Sequence, residues 1–208
     1  MSRQNRVTPF GQIVAIPARG TLMGNRGCLH DTSGNVTKLS ARTAWVTCRL
    51  QWKGIHRSVM APGKYTELFF LDEATALAAG HRPCNDCRSE RLREFQRCWS
   101  LGVEGSSGGN TPVSRIDPVM HADRLMDRKV QRTYAADLDA LPDGVFIALA
   151  GQPQQAWLWW NCRLRPWSPS GYGLAPVQYK GAVTVLTPRS TVATLAAGYK
   201  PEVHLTVL

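Results

Sequence analysis

Two cysteines separated by two residues, Cys84 and Cys87, follow directly on a segment built to begin and end a short helix. Asp72 is a natural cap, and Glu73 puts a negative charge in the first turn, where the helix dipole favours it. Ala74, Ala76, Leu77, Ala78 and Ala79 sustain the helix. Gly80 can take the left-handed conformation that ends it, and Pro83 prevents its resumption. A chain turning this sharply before two closely spaced thiols presents both sulfurs to one ion, which is half of a structural zinc site. Zinc accounts for the pair better than a redox dithiol does, because no thioredoxin-like βαβ pattern surrounds it.

The string from Ala76 to Arg88, Ala-Leu-Ala-Ala-Gly80-His81-Arg82-Pro83-Cys84-x-x-Cys87-Arg88, resembles the end of the Ada-type metal-binding domain found in bacterial DNA alkylation-repair regulators. The resemblance covers roughly residues 66–88, with a looser echo from Met23 to His30. It implies an N-terminal zinc module that binds DNA, with zinc holding the fold. In that family four cysteines hold the metal, an early pair and a late pair. The early Cys-x-x-x-Cys pair is absent here, and so is a Pro-Cys-His-Arg alkyl-acceptor motif.

Two thiolates do not close a site. The other candidates are Cys28, His30, Cys48, Cys98 and Cys162. His30 follows a glycine-rich turn and Cys48 lies in an apolar strand that can return beside the thiol pair. We therefore expect His30 and Cys48 to complete a site with Cys84 and Cys87, with Cys28 as their direct rival.

Charge suggests a partner. Lys and Arg number 25 against 15 Asp and Glu, a formal balance of +10. Residues 1–100 carry 15 basic and 7 acidic side chains, so most of the excess lies in the half holding the thiols. Arg82, Arg88, Arg91, Arg93 and Arg97 crowd that stretch, and guanidinium forks suit phosphate. DNA is the expected partner, with these five arginines as contacts. Two alternatives belong to other classes. One is a metal-dependent nuclease or hydrolase working at His121 and Asp123. The other is a zinc-stabilised protein-interaction module. The tryptophans at 157, 159, 160 and 167 can stack bases, although alternating tryptophans in a strand more often pack a core. No Walker A loop, nucleophile elbow or dinucleotide fingerprint is present.

The N-terminus is polar, the run Ile13–Ile16 is too short for a signal core, and no stretch reaches ~20 apolar residues. Metal-bound thiols in a reducing cytoplasm are expected, away from any membrane. The fold class expected is α+β. A small mixed sheet with two helices around zinc would occupy residues 1–101. A glycine- and serine-rich linker would run over 102–113, and a β-rich unit over 114–208. Strands are expected over 44–52, 55–60, 65–71, 145–150, 156–160 and 182–186, with helices from Ser89 to Trp99 and from Asp117 to about Arg132. Residues 167–173 read as a loop. Val192-Ala-Thr-Leu-Ala-Ala-Gly198-Tyr-Lys-Pro201 echoes the segment ending Gly80-His-Arg-Pro83, as one supersecondary unit used twice would.

Overall fold

The computed structural model describes residues 2–54, 58–126, 130–173 and 179–207. It is an α+β protein. The first sheet uses β1 (Gln4–Val7), β2 (Ile13–Ala15), β3 (Leu22–Asn25), β4 (Val46–Arg49), β5 (Leu68–Phe70) and β6 (Arg82–Pro83), in the order β2-β1-β5-β3-β4-β6. It is mixed: β1 runs parallel to β5 and β4 parallel to β6, while the other pairs are antiparallel. The helices are α1 (Glu73–Ala78), α2 (Ser89–Gly102) and α3 (Val113–Arg124). The chain then forms a small ribbon of β7 (Leu125–Met126) and β8 (Val130–Gln131).

The second sheet comes next, from β9 (Tyr134–Asp137), β10 (Phe146–Leu149), β11 (Gln152–Trp160), β12 (Arg163–Ser168), β13 (Gly171–Tyr172) and β14 (Ala182–Val185). It is antiparallel, in the order β13-β12-β11-β10-β14-β9. A last helix, α4 (Arg189–Ala196), precedes the C-terminal segment.

The second sheet is buried on both faces, and the period-2 rule sorts its side chains. Ile147, Trp157, Trp159, Val183 and Val185 pack with Phe95 and Trp99 of α2, Ile116 and Met120 of α3, and Leu195 of α4. Their neighbours Phe146, Ala148, Ala156 and Leu158 pack on the other face with Leu71, Ala74, Ala78 and Tyr172. The tryptophans at 157 and 159 are thus core residues, and Trp159 satisfies its indole N–H on the Leu141 carbonyl. A third cluster joins Val7, Leu68 and Phe70 of the first sheet to Ala76 and Ala79.

One core therefore contains residues from both sides of the expected linker. Gly102, at the end of α2, lies so close to α4 that a Cβ there would sit 2.2 Å from the Ala193 carbonyl oxygen. The glycine- and serine-rich stretch is a loop between two helices that share this core. Residues 167–173, expected as a loop, form a tight hairpin in which Trp167 pairs with Tyr172. The third helix starts before Asp117 and stops at Arg124, short of Arg132, because the chain turns extended into β7. The strand expected over 55–60 falls partly on residues outside those described, and 58–60 form no strand.

The echo within the sequence is an echo in structure. Both α1 and α4 end in the same left-handed cap. Gly80 N–H donates to the Leu77 carbonyl and His81 N–H to that of Ala76; Gly198 N–H donates to Leu195 and Tyr199 N–H to Thr194. The two glycines differ in surroundings. Gly80 has φ +79°, and a Cβ there would meet Arg124 Cδ at 3.0 Å, whereas Gly198 has φ +104° and open space around it. A Gly198→Ala protein should lose ~1–2 kcal/mol for the left-handed residue alone. Gly80→Ala should lose measurably more in the same denaturant melt, because Arg124 must also move.

Candidate metal centre

The thiol loop is assembled by an edge strand and held at both ends. Beyond the Gly80 cap the chain runs alongside β4: Arg82 N–H donates to the Trp45 carbonyl and Cys84 N–H to that of Thr47. Pro83 is tolerated because β6 is the last strand of its sheet, where no further ladder bond is needed. This parallel pairing, Val46 with Arg82 and Thr47 with Pro83, delivers Cys84 next to Cys48. The chain then turns through Asn85 and Asp86 and enters α2, leaving Cys87 just ahead of the helix N-terminus, where the dipole favours a thiolate.

The ligand atoms of Cys48, Cys84 and Cys87 all lie within 4.8 Å of one another. This is the one such group of three or more metal-ligating side chains among the described residues. Cys87 is buried and the other two are half-buried, so the trio sits just beneath the surface. Arg49 N–H donates to Cys87 Sγ at 3.4 Å.

The three thiols cannot all ionise without a cation between them. Hydrogen bonds from Cys48 and Cys87, with help from the Cys87 and Asp86 backbone amides, pull Cys84 down to about 2. The same contacts with Cys84 and Cys87 push Cys48 far up. For Cys87, the bond with Cys48 pulls down, but the Cys84 sulfur and burial outweigh it and leave the thiol raised. Three sulfurs this close repel one another as thiolates, and a divalent cation between them would offset that repulsion.

The flanking arginines fix the loop. Arg82 is buried, and its Nε and Nη2 donate to both oxygens of Asp117 at 2.7 and 2.8 Å, while Nη1 reaches the Pro83 carbonyl and Asn85 Oδ1. Arg88, also buried, donates to Thr47 Oγ1 at 2.9 Å and pairs with Glu73 at 3.0 Å and Glu202 at 2.8 Å. Arg91 pairs with Glu73 at 2.7 Å and stacks over Tyr199. Three of the five arginines expected to face phosphate are therefore turned inward. The reason is that Asp117 and Glu73 are themselves buried carboxylates requiring cationic partners. Arg93 and Arg97 remain exposed on α2.

The other expected ligand, His30, is not in the group. Its Nδ1 lies 2.6 Å from Thr66 Oγ1 and its Nε2 3.2 Å from the Ala61 carbonyl, so both ring nitrogens already serve to pin the segments before β4 and β5. Cys28 is not in the group either; its thiol lies 3.7 Å from the His30 carbonyl. Cys98 is buried on α2 and Cys162 is exposed in a hairpin turn. Asp123 accepts the Ser190 N–H at 2.6 Å, and neither it nor His121 belongs to a metal-ligating group among the described residues.

No family model matches this chain, and neither the curated proteins nor the solved structures hold a match to it.

The geometry separates the ligands from the bystanders by experiment. A metal ion loaded at the three thiols should be lost from Cys48→Ser at a chelator concentration at least ~10-fold lower than from the parent protein, and likewise from Cys84→Ser and Cys87→Ser. Cys28→Ser and His30→Ala should hold the metal as the parent does. His30→Ala should instead lower the melting temperature, since it strips two buried contacts.

Proposed function

We propose that this protein is a zinc protein in which Cys48, Cys84 and Cys87 supply three of four ligands to one structural ion. The observation that carries the reading is the convergence of three sulfurs from two separate segments, β4 and the turn before α2. Three thiolates select a soft or borderline cation, and zinc takes such ligands in tetrahedral sites without redox chemistry. The resemblance of residues 66–88 to the Ada-type zinc domain supports the same metal. Bound there, zinc would fasten β6 and the start of α2 to β4. X-ray absorption of the purified protein should show one zinc per chain with three sulfurs at ~2.3 Å and one nitrogen or oxygen. Iron or copper in that shell, or no stoichiometric metal, would refute the proposal. Metal removal should speed amide exchange at Arg82 and Cys84, whose N–H groups form the β4–β6 bonds, before it affects the second sheet.

A second reading, DNA binding through the zinc-bearing half, draws on the +10 charge and on the exposure of Arg93 and Arg97 along α2. Backbone contacts release counterions, so affinity for duplex DNA should fall steeply with salt. Arg93→Ala with Arg97→Ala should flatten that slope by roughly two, one for each phosphate no longer neutralised, at unchanged zinc content. An unchanged slope would leave the interaction-module reading, in which the same basic face meets an acidic protein. No helix among the described residues is long and apolar enough to cross a membrane.

A further inference from the structure

Around Trp45, away from the thiols, lie two buried cations with no ion-paired carboxylate among the described residues. Arg26, at the end of β3, and Arg124, at the end of α3, are each only 2% exposed. Both guanidinium groups stack on Trp45, with their central carbons 4.0 and 4.2 Å from its ring centroid. Neither forms an ion pair with a carboxylate among the described residues. The two acids nearest Arg124 in the chain are engaged elsewhere: Asp117 is taken bidentately by Arg82, and Asp123 accepts the Ser190 N–H.

Arg26 makes only long bonds, from Nε to His81 Nε2 at 3.2 Å and from both terminal nitrogens to the single Gly11 carbonyl at 3.3 Å. Arg124 spends Nε on the Met120 carbonyl, and its Nη1 and Nη2 are buried with no hydrogen-bond partner among the described residues. Burial pushes both guanidinium groups down to about 9, and for Arg26 the Arg124 charge adds to it. His81 is fully buried, and burial followed by these two cations holds it well below its ordinary value, so it stays neutral.

Arg26, Arg124 and Trp45 line one pocket of about 90 Å³, several times what a single water needs. Gln131 lines it too. Its amide nitrogen is fixed by three carbonyls, those of Pro9, Ala78 and Leu186, so its Oε1 is oriented by construction, and that oxygen is buried without a partner among the described residues. Among the described residues the pocket therefore combines two cations that lack an ion-paired carboxylate with one unused acceptor. Two guanidinium forks suit a doubly charged oxyanion. An acceptor beside them suits an anion that still carries an O–H, which hydrogen phosphate does as a dianion and sulfate at neutral pH does not; a phosphate monoester offers that O–H only in its singly charged, monoprotonated form.

We propose that the Arg26–Arg124–Gln131 pocket is a binding site for a phosphate group, either free phosphate or the terminal phosphate of a larger molecule. The phosphate oxygens accept from Arg26 and from Nη1 and Nη2 of Arg124, and its hydroxyl donates to Gln131 Oε1. The site is independent of the zinc centre.

The test is calorimetric titration of the zinc-loaded chain with inorganic phosphate at constant ionic strength, with sulfate in parallel. Saturable phosphate binding with a Kd of ~1 mM or tighter is expected, with sulfate at least ~10-fold weaker. Arg124→Met should weaken phosphate at least ~10-fold at unchanged zinc content. Arg124→Lys, which keeps the charge and most of the volume but loses the fork, should fall between the two and covers the case in which the methionine variant does not fold. A dinucleotide with and without a 5′-phosphate separates the sources: tighter binding of the phosphorylated form than of inorganic phosphate assigns a nucleic-acid end, and the reverse assigns the free ion. Absence of saturable phosphate binding, equal affinity for sulfate, or full affinity in a folded Arg124→Met or Arg124→Lys protein would each overturn the proposal.

Discussion

The structure turns on the carboxylate of Glu73. This side chain is fully buried at the first turn of α1, yet four groups converge on it. Tyr199 Oη donates to it at 2.6 Å, the Glu202 backbone N–H at 2.9 Å, and Arg88 and Arg91 pair with it at 3.0 and 2.7 Å. Its neighbour Asp72 is used the same way, accepting from the Thr75 backbone and hydroxyl, the Tyr172 hydroxyl and the His204 N–H. A buried carboxylate is costly unless its lone pairs are filled, and removing one partner of such a set costs ~3–5 kcal/mol. These two acids bind the start of α1 to the C-terminal segment and, through Arg88, to the end of the thiol loop. The helix itself is buried all round: Leu77 faces the helical core, Ala74 and Ala78 the far face of the second sheet, and Ala76 and Ala79 the first sheet. Small residues are what allow two sheets to approach one helix this closely.

Much of this was legible in the chain. The helix from Asp72 to its glycine stop, the strands β4, β5, β10, β11 and β14 and the α+β class derive from local pattern, because caps, alternation and helix breakers act over a few residues. The Cys48 sulfur lies beside those of Cys84 and Cys87, since a strand returning beside the loop is the short route to a third sulfur. His30 and the linker went differently for non-local reasons. Nothing near His30 signals that Thr66 and Ala61, more than thirty residues on, occupy both its nitrogens. Flexible composition at 103–112 says nothing of the packing between α2 and α4 on either side. The duplicated unit was visible as a string, and its two caps share one geometry. The two copies differ on both sides of the proline: His81 and Arg82 bond Arg26 and Asp117 where Tyr199 holds Glu73, and Cys84 and Cys87 follow in one copy where Glu202 and His204 follow in the other.

Arginine in this protein shows two physical states. Arg82, Arg88 and Arg91 have the sequence pattern of a solvated basic face, yet each fills the need of an internal acid. Arg26 and Arg124 stand far apart in sequence and carry no motif, yet they are the buried cations whose charge the described chain leaves without a carboxylate. Composition counts all five alike. Only the position of carboxylates separates cations that hold the fold from cations with bonding capacity in hand.

The ties made by Asp72 and Glu73 also set the timing of assembly. The contact between Arg88 and Glu202 spans 114 residues of chain. At ~5–20 residues per second of synthesis, the thiol loop emerges ~6–23 s before the segment that locks it. During that interval Cys48, Cys84 and Cys87 meet oxidants and metal ions with the β4–β6 ladder and the Arg82–Asp117, Arg88–Thr47 and Arg88–Glu73 contacts, but not Glu202, to hold the loop. A metal ion captured by the nascent chain would close the loop before the Arg88–Glu202 tie exists, holding it until the segment around Glu202 is made.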